Sequence, residues 1–340
     1  MTSHHAHNQI TNPQATILEI VRMSTEDGPG IRTTVFFKGC PLQCAWCHNP
    51  ESISAKPQIW WIGSRCIGCR TCLSVCPESA LTLTEAGMDI DRSRCTGCGD
   101  CAEACPGTAM EQVGKAWKLD DLVAEVVKDR AYFDASGGGV TLSGGEPTLQ
   151  AGFAGPFLKA LREKGLHTAL DTCGLRGRET LDQILPYAAM VLFDMKLIDP
   201  VAHKRLTGHD NRRILENLLH VADYMRSHLY PAEMWVRTPL IPNATATPEN
   251  IGGIGRFIHE NLSGMVSRWE LCAFNNLCRD KYRRLDQPWA FENEELLLAS
   301  VVNELADTAR RSGVDPDIVI ATGSTRLETE ETRQEVSSEL

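Results

Sequence analysis

Several things are scarce in this 340-residue sequence. No apolar run approaches the roughly 18 residues needed to cross a bilayer, so no membrane association is expected. Positive charge is not in excess: 34 Lys and Arg stand against 44 Asp and Glu, a formal net charge of -10. That balance argues against non-specific binding to nucleic acid or an anionic membrane surface. The first residues, MTSHHAHNQITNPQ, lack a basic start followed by an apolar stretch, so they do not read as a secretory leader. His4, His5 and His7 are metal-ligand types, but residues 1–14 read first as a flexible polar tail, and the chain is expected in the cytoplasm, where thiols stay reduced. Disulfide-scaffold composition is also missing. The 14 cysteines are about 4% of the chain, below the roughly 8–10% of such scaffolds. What is present is 42% hydrophobic residues, enough for one large domain or two ordinary ones.

The cysteines are few but ordered. Cys66, Cys69, Cys72 and Cys76 precede Pro77, and Cys95, Cys98, Cys101 and Cys105 precede Pro106. Each group reads C-x2-C-x2-C-x3-C-P, the bacterial ferredoxin run, in which three cysteines hold one [4Fe-4S] cluster and the fourth reaches the other. Zinc sites favour paired C-x2-C units with four closed ligands, which fits these runs poorly. A third group, Cys40, Cys44 and Cys47, is spaced C-x3-C-x2-C. Three thiolates hold three irons of a cubane and leave the fourth iron open to a substrate. Taken alone, the same spacing also suits a zinc knuckle or a redox pair with a spare. Cys173, Cys272 and Cys278 have no cluster spacing and read as buried, hydrophobe-like cysteines.

Residues 31–38, IRTTVFFK, form a β-branched and aromatic run ending at Gly39, a strand that delivers the three-cysteine loop. From about Trp60 to Val113 the apolar pattern is interrupted by the cysteine runs, joined by LTLTEAGMDI. This is expected to be a small inserted cluster domain folded largely by its inorganic core. After a helical spacing of apolar residues over 119–131, strand and helix patterns alternate: GGGVTLSGG, FAGPFLKALREKG, HTALDT, ETLDQILPYA, MVLFDMK, NRRILENLLHVADYM, EMWVRTPLIP, PENIGGIGRFIHENL and SRWELCAF. With IRTTVFFK this makes six strands. DIVIAT follows as a last strand-like stretch, after a helix through ELLLASVVNELADTARRSG. Alternation implies a parallel sheet with crossover helices. The expected class is α/β, a partial (β/α)6 TIM-like barrel over 15–59 and 114–326, with a bacterial-ferredoxin-like two-cluster insertion over 60–113. Residues 327–340 read as an acidic tail. A doubly wound open sheet shows similar alternation. In barrels, functional residues gather at the C-terminal ends of strands, where Cys40, Gly144, Asp171, Asp194, Arg237 and Asn275 fall.

The stretch DGPGIRTTVFFKGCPLQCAWCHNPES, Asp27 to Ser52, resembles the glycyl-radical enzyme activating enzymes of the radical S-adenosylmethionine superfamily, which include the pyruvate formate-lyase activating enzyme. The likeness runs from about Leu18 to Thr322, and the paired ferredoxin runs resemble the branch with an inserted two-cluster domain. The resemblance implies three [4Fe-4S] clusters and S-adenosylmethionine as cofactors. One cluster reductively cleaves S-adenosylmethionine to methionine and a 5'-deoxyadenosyl radical, which takes a hydrogen from a glycine of a partner glycyl-radical enzyme. It further implies a flavodoxin or ferredoxin electron donor and a monomeric, anaerobic oxidoreductase.

Residue by residue, the resemblance makes Cys40, Cys44 and Cys47 the ligands of the open cluster, and Trp46, Cys47 and His48 the adenine side. Gly144, Gly145 and Glu146 in SGGEP match the motif for the methionyl amino group; alone, a GG pair reads as a turn. Asp171 and Thr172 in DTCG, and Asp194, Met195 and Lys196 in FDMK, resemble positions for the ribose, the methionyl carboxylate or a nearby monovalent cation. By itself Asp171 reads as a helix N-cap and Lys196 as a surface charge. Arg237 in VRTPLIP resembles an arginine near the end of a late strand. Where the family pattern has a cofactor-contacting histidine, this chain aligns Asn275, whose amide donates and accepts hydrogen bonds but carries no titratable charge. The inserted clusters read first as an electron relay and second as a docking or structural module. Competing activities are a radical S-adenosylmethionine enzyme acting on a small molecule or peptide, and a plain ferredoxin-type electron carrier. The carrier leaves the three-cysteine loop and the alternating elements without a role.

Overall fold

The computed structural model describes residues 12–326. His4, His5 and His7 and the acidic stretch 327–340 lie outside the described residues. The expected tail over 1–14 extends too far, because Gln14 already pairs with Lys118.

Among the described residues there are thirteen strands: β1 (Gln14–Ser24), β2 (Arg32–Phe37), β3 (Gln58–Trp61), β4 (Leu81–Thr84), β5 (Gly87–Ile90), β6 (Met110–Val113), β7 (Lys115–Lys118), β8 (Gly139–Gly144), β9 (His167–Thr172), β10 (Met190–Asp194), β11 (Glu233–Leu240), β12 (Arg268–Ala273) and β13 (Val319–Thr322). Nine form one sheet in the order β13-β12-β11-β10-β9-β8-β2-β1-β7. From β2 to β13 every neighbouring pair is parallel. Spatial order follows chain order with no reversal, so the sheet winds in one direction like a barrel wall; a doubly wound sheet reverses at a switch point. DIVIAT supplies β13, a seventh parallel strand beyond the expected six. β1 and β7 extend the other edge as antiparallel strands.

The two faces differ in chemistry because strand side chains alternate. On the helix-covered face, Val35, Phe37, Leu142, Leu170, Val191, Phe193, Val236 and Leu271 join one apolar core with residues of the crossover helices. The other face places Ser143, Asp171, Asp194, Arg237 and Glu270 at alternate positions of β8 to β12, in register with Asp194 opposite Arg237 and Arg237 opposite Glu270. The polar residues lie toward the C-terminal ends of these strands, above a small apolar cluster of Ala169, Met190, Leu192 and Trp235 on the same face.

Residues 58–113 stand outside this sheet. β3 pairs with β6 and β4 with β5, and the segment's buried hydrophobic cluster is Ile59, Cys72, Ile90, Cys101 and Met110.

Candidate functional site

The three-cysteine loop follows β2 directly. Its backbone is held from two sides: Gly39 and Cys40 donate to Ser52 O and Ile53 O at 2.7 and 3.1 Å, while Gln43 and Ala45 donate to Thr207 O and Leu206 O at 2.8 and 2.9 Å. Those last two carbonyls end the helix Pro200–Thr207, which Asp199 caps through Ala202 N at 2.6 Å and Gly208 terminates at φ 88°. The loop therefore satisfies carbonyls that a helix end leaves unpaired. Beneath it, Trp46 packs in a second apolar cluster with Leu197, Phe274, Tyr282, Trp289 and Phe291. The Tyr282 hydroxyl donates to Cys47 O at 3.0 Å.

Burial pushes the Cys44 thiol up to about 12 and the Cys47 thiol higher still, with Cys44 adding repulsion at Cys47. Cys40 is shifted downward, mainly through a hydrogen bond with Cys173. Buried thiolates need positive charge beside them, and iron supplies it; this donor set fits a cluster. Among the described residues no three Cys, His, Asp or Glu side chains close on a single ion. A cubane seats each cysteine on a separate iron.

The SGGEP turn rests on this loop. Gly145 N donates to Phe37 O at 2.9 Å and Glu146 N to Gly39 O at 2.8 Å. A Cβ on Gly145 would sit 2.1 Å from Gly39 O, so the glycine serves contact with the cysteine loop. Glu146 is fully buried and its carboxylate accepts from Thr148 N and Oγ1, Thr172 Oγ1 and Cys173 N at 2.7–3.1 Å. Glu146 ties the ends of β8 and β9 together, and its side chain spends its acceptors on protein donors.

Asp171 lies inside β9 and is not a helix N-cap. Ser143 Oγ donates to its Oδ2 at 2.6 Å, and Arg237 Nη1 lies 3.6 Å from the same oxygen. Its Oδ1 is buried without a partner. Burial and then the charge of Asp194 push Asp171 up to about 7. Lys196 is largely buried and pairs with Asp194 at 2.6 Å, so it is not a surface charge. Burial disfavours its proton, but Asp194 and Cys44 outweigh that and raise its pKa. Arg237 also contacts Glu270 at 3.1 Å and approaches Asp27 at 4.0 Å. Cys40, Cys44, Glu146, Asp171, Thr172, Asp194, Lys196 and Arg237 are thus brought together.

Met195 is the correction. Its side chain is buried in the main core with the aliphatic residues of the helix-covered face, because it alternates with Asp194 and Lys196. His48 sits 6.2 Å from Phe274 with Nε2 buried and unpartnered, and burial lowers its pKa. Asn275 is half-buried, and its Oδ1 accepts from Leu277 N at 3.2 Å, shaping the turn after β12. Cys173 and Cys278 are buried as expected, and Cys272 is half-buried.

Glu270, Asp27 and Tyr282 were not among the expected site residues. Glu270 had a signal, a carboxylate inside the apolar strand RWELCA. So did Asp27, in the DGPG turn, where Ser24 and Thr34 hydroxyls hold its Oδ2 at 2.6 and 2.7 Å. Gly30, at φ 68°, lets that turn pass Gly138, whose nitrogen would lie 2.5 Å from a Cβ. Tyr282 had none, lying on the short polar helix Arg279–Arg284.

In residues 58–113 the eight cysteines divide between two cavities. One is lined by Cys66, Cys69, Cys72 and Cys105 with Trp61 and Met110. The other is lined by Cys76, Cys95, Cys98 and Cys101 with Ile59 and Leu81. Each cavity takes three cysteines from one run and the fourth from the other.

The radical SAM superfamily model matches residues 34–249. The trans-4-hydroxy-L-proline dehydratase activating enzyme of Clostridioides difficile is 39% identical over 281 residues, covering 82% of this chain and 90% of that protein. The chain belongs to the radical S-adenosylmethionine superfamily, among the glycyl-radical enzyme activating enzymes. A further relative of this activating enzyme is the indoleacetate decarboxylase activating enzyme of Tractidigestivibacter scatoligenes, 35% identical over 311 residues, 88% of this chain and 96% of that protein. Its fold is also similar to a radical SAM methyltransferase from Sphaerobacter thermophilus, with a TM-score of 0.50 and 13% identity over 92% of this chain and 77% of that one. No helix among the described residues is long and apolar enough to cross a membrane.

Proposed function

We propose that this activating enzyme uses Cys40, Cys44 and Cys47 to hold a [4Fe-4S] cluster and the polar sheet face beside them to hold S-adenosylmethionine. When bound, the cluster supplies the electron that breaks the sulfonium bond. The chain's own residues bind, orient and exclude water. Lys196, a cation kept charged by Asp194, faces the methionyl carboxylate. The buried, unpartnered Asp171 Oδ1 carries the reading: an orphaned acceptor next to a second carboxylate invites a ribose hydroxyl or a monovalent cation. Trp46 and His48 form the adenine side, with the unpartnered His48 Nε2 as its polar handle. Gly144, Gly145, Thr172, Arg237 and Asn275 complete the wall, Glu146 acts by fixing the β8 and β9 loops, and Met195 drops out of the contact set.

The partner is a glycyl-radical enzyme. In this reading residues 60–113 form an inserted ferredoxin-like domain with two further clusters. The division of its cysteines between two cavities supports that, since it reproduces the crossed ligation of the double run. They relay electrons from a flavodoxin or ferredoxin to the catalytic cluster in a monomeric, cytoplasmic, oxygen-sensitive enzyme. Anaerobically loaded protein with dithionite should release methionine and 5'-deoxyadenosine in equal amounts. With its partner glycyl-radical enzyme added, a glycyl doublet should appear in electron paramagnetic resonance. Cleavage without a protein radical would move the activity to a small-molecule or peptide substrate.

A further inference from the structure

The β3–β6 ladder gives residues 58–113 a near end and a far end relative to the barrel. At the near end Gln58 pairs with Val113, Gln58 Oε1 accepts from the buried Lys38 Nζ at 2.9 Å, and β7 begins at Lys115. At the far end Trp61 pairs with Met110. Ile59 lines the cavity of Cys76, Cys95, Cys98 and Cys101, while Trp61 and Met110 line that of Cys66, Cys69, Cys72 and Cys105. Two residues of strand separate those markers, about 7 Å at the usual rise. The near cavity is also tied sideways. Arg92 donates to Ile59 O through Nη1, and through Nη2 to Arg284 O at 2.7 Å and Asp286 Oδ2 at 3.1 Å. Arg284 lies 5.2 Å from the centre of the Trp60 ring. The helix Arg279–Arg284 that receives Arg92 holds the catalytic loop with its other residues: Lys281 pairs with Glu51 at 2.7 Å, and Tyr282 bonds Cys47 O at 3.0 Å. One short helix touches both the near cavity's strand and the third catalytic cysteine.

We propose that the two auxiliary sites work in series, with the Cys76/Cys95/Cys98/Cys101 site as the last stop before the Cys47 side of the catalytic loop and the Cys66/Cys69/Cys72/Cys105 site as the entry. Arg92 is a positioning residue that holds the last site against the helix. The inference rests on the two-cluster reading given above. With clusters held by these two cysteine sets, a low-potential one-electron protein donor would be oxidised at the entry site, and its one electron would pass by way of the last site to a cluster on Cys40, Cys44 and Cys47, where breaking one carbon–sulfur bond of S-adenosylmethionine would consume it.

The test uses the full chain, loaded anaerobically with iron and sulfide and reduced with dithionite. Through-space magnetic coupling falls with distance, so broadening of the catalytic cluster's resonance should vanish in Cys98→Ala and persist in Cys69→Ala. Because either change could impair folding of the segment, Arg92→Gln provides a second arm that leaves every ligand in place. Loss of the Arg92 hydrogen bonds should slow freeze-quench-detected electron arrival from a reduced two-cluster bacterial ferredoxin relative to wild type, with iron content unchanged. The opposite coupling pattern, broadening that survives in both cysteine variants, or a wild-type arrival rate in Arg92→Gln overturns the order. Wild-type protein holding about four irons per chain instead of about twelve overturns the two-cluster reading itself, a result distinguishable from a wrong order.

Discussion

The barrel and the cysteine-rich segment use cysteine in opposite ways. The catalytic loop is held by polypeptide: helix carbonyls, the SGGEP turn and a Trp46-centred aromatic cluster fix it on a sheet whose main core runs from Ala15 to Val319. In residues 58–113 the buried cluster is five side chains, two of them cysteines, with only Ile62, Ala80, Ala109 and Val113 buried beside it, little apolar surface for a segment of that size to stand alone. The lesson, on the proposed reading, is that the reactive iron is seated where protein supplies the rigidity, whereas the auxiliary metal supplies rigidity to the protein.

The sharpest way to break this contrast is Cys47→Ala, expected to reduce S-adenosylmethionine cleavage to background while the circular dichroism of the barrel survives. Next in size is iron removal. Chelation should open residues 58–113 to trypsin while the barrel resists, as gel mapping of the fragments would show; equal resistance of both regions would erase the distinction. Gly145→Ala asks whether the loop's support is polypeptide packing. Its Cβ would meet Gly39 O, and the denaturant midpoint should fall by an amount equivalent to about 1–3 kcal/mol.

A subtler probe is pH. Asp171 has its folded pKa raised to about 7 by burial and Asp194, against about 3.9 unfolded. Its protonated form therefore contributes stability that is fully present below about pH 4 and lost as pH rises through about 7. Asp171→Asn should flatten the stability profile in that window, measured by denaturation of the metal-free protein. The smallest effect belongs to Arg65→Ala, which removes a half-exposed pair with Glu111 at 2.5 Å and should cost about 0–1 kcal/mol.

Much of this architecture was readable beforehand. HTALDT and PENIGGIGRFIHENL are β9 and a helix to the residue, because long periodic segments carry their own signal. ETLDQILPYA was not one helix: it splits into Arg178–Asp182 and a 3-10 turn at Leu185–Tyr187, since Pro186 cannot donate a backbone hydrogen bond. β1 and β7 were missed because their pairing is between distant, half-polar segments. In the site, the division of the later eight cysteines between two cavities follows the order of the two runs in the sequence. Met195 could have been excluded by counting in twos from Asp194 and Lys196. The internal employment of Glu146 could not, since its partners Thr172 and Cys173 come from another strand's end.

Trp46 packs against Phe274, Tyr282, Trp289 and Phe291, all more than two hundred positions downstream. During synthesis the ribosome releases the first three cysteines long before the side chains that seat them. The later eight lie among partners within their own stretch. The packing that seats the three-cysteine loop is thus complete only once the chain's last third is made.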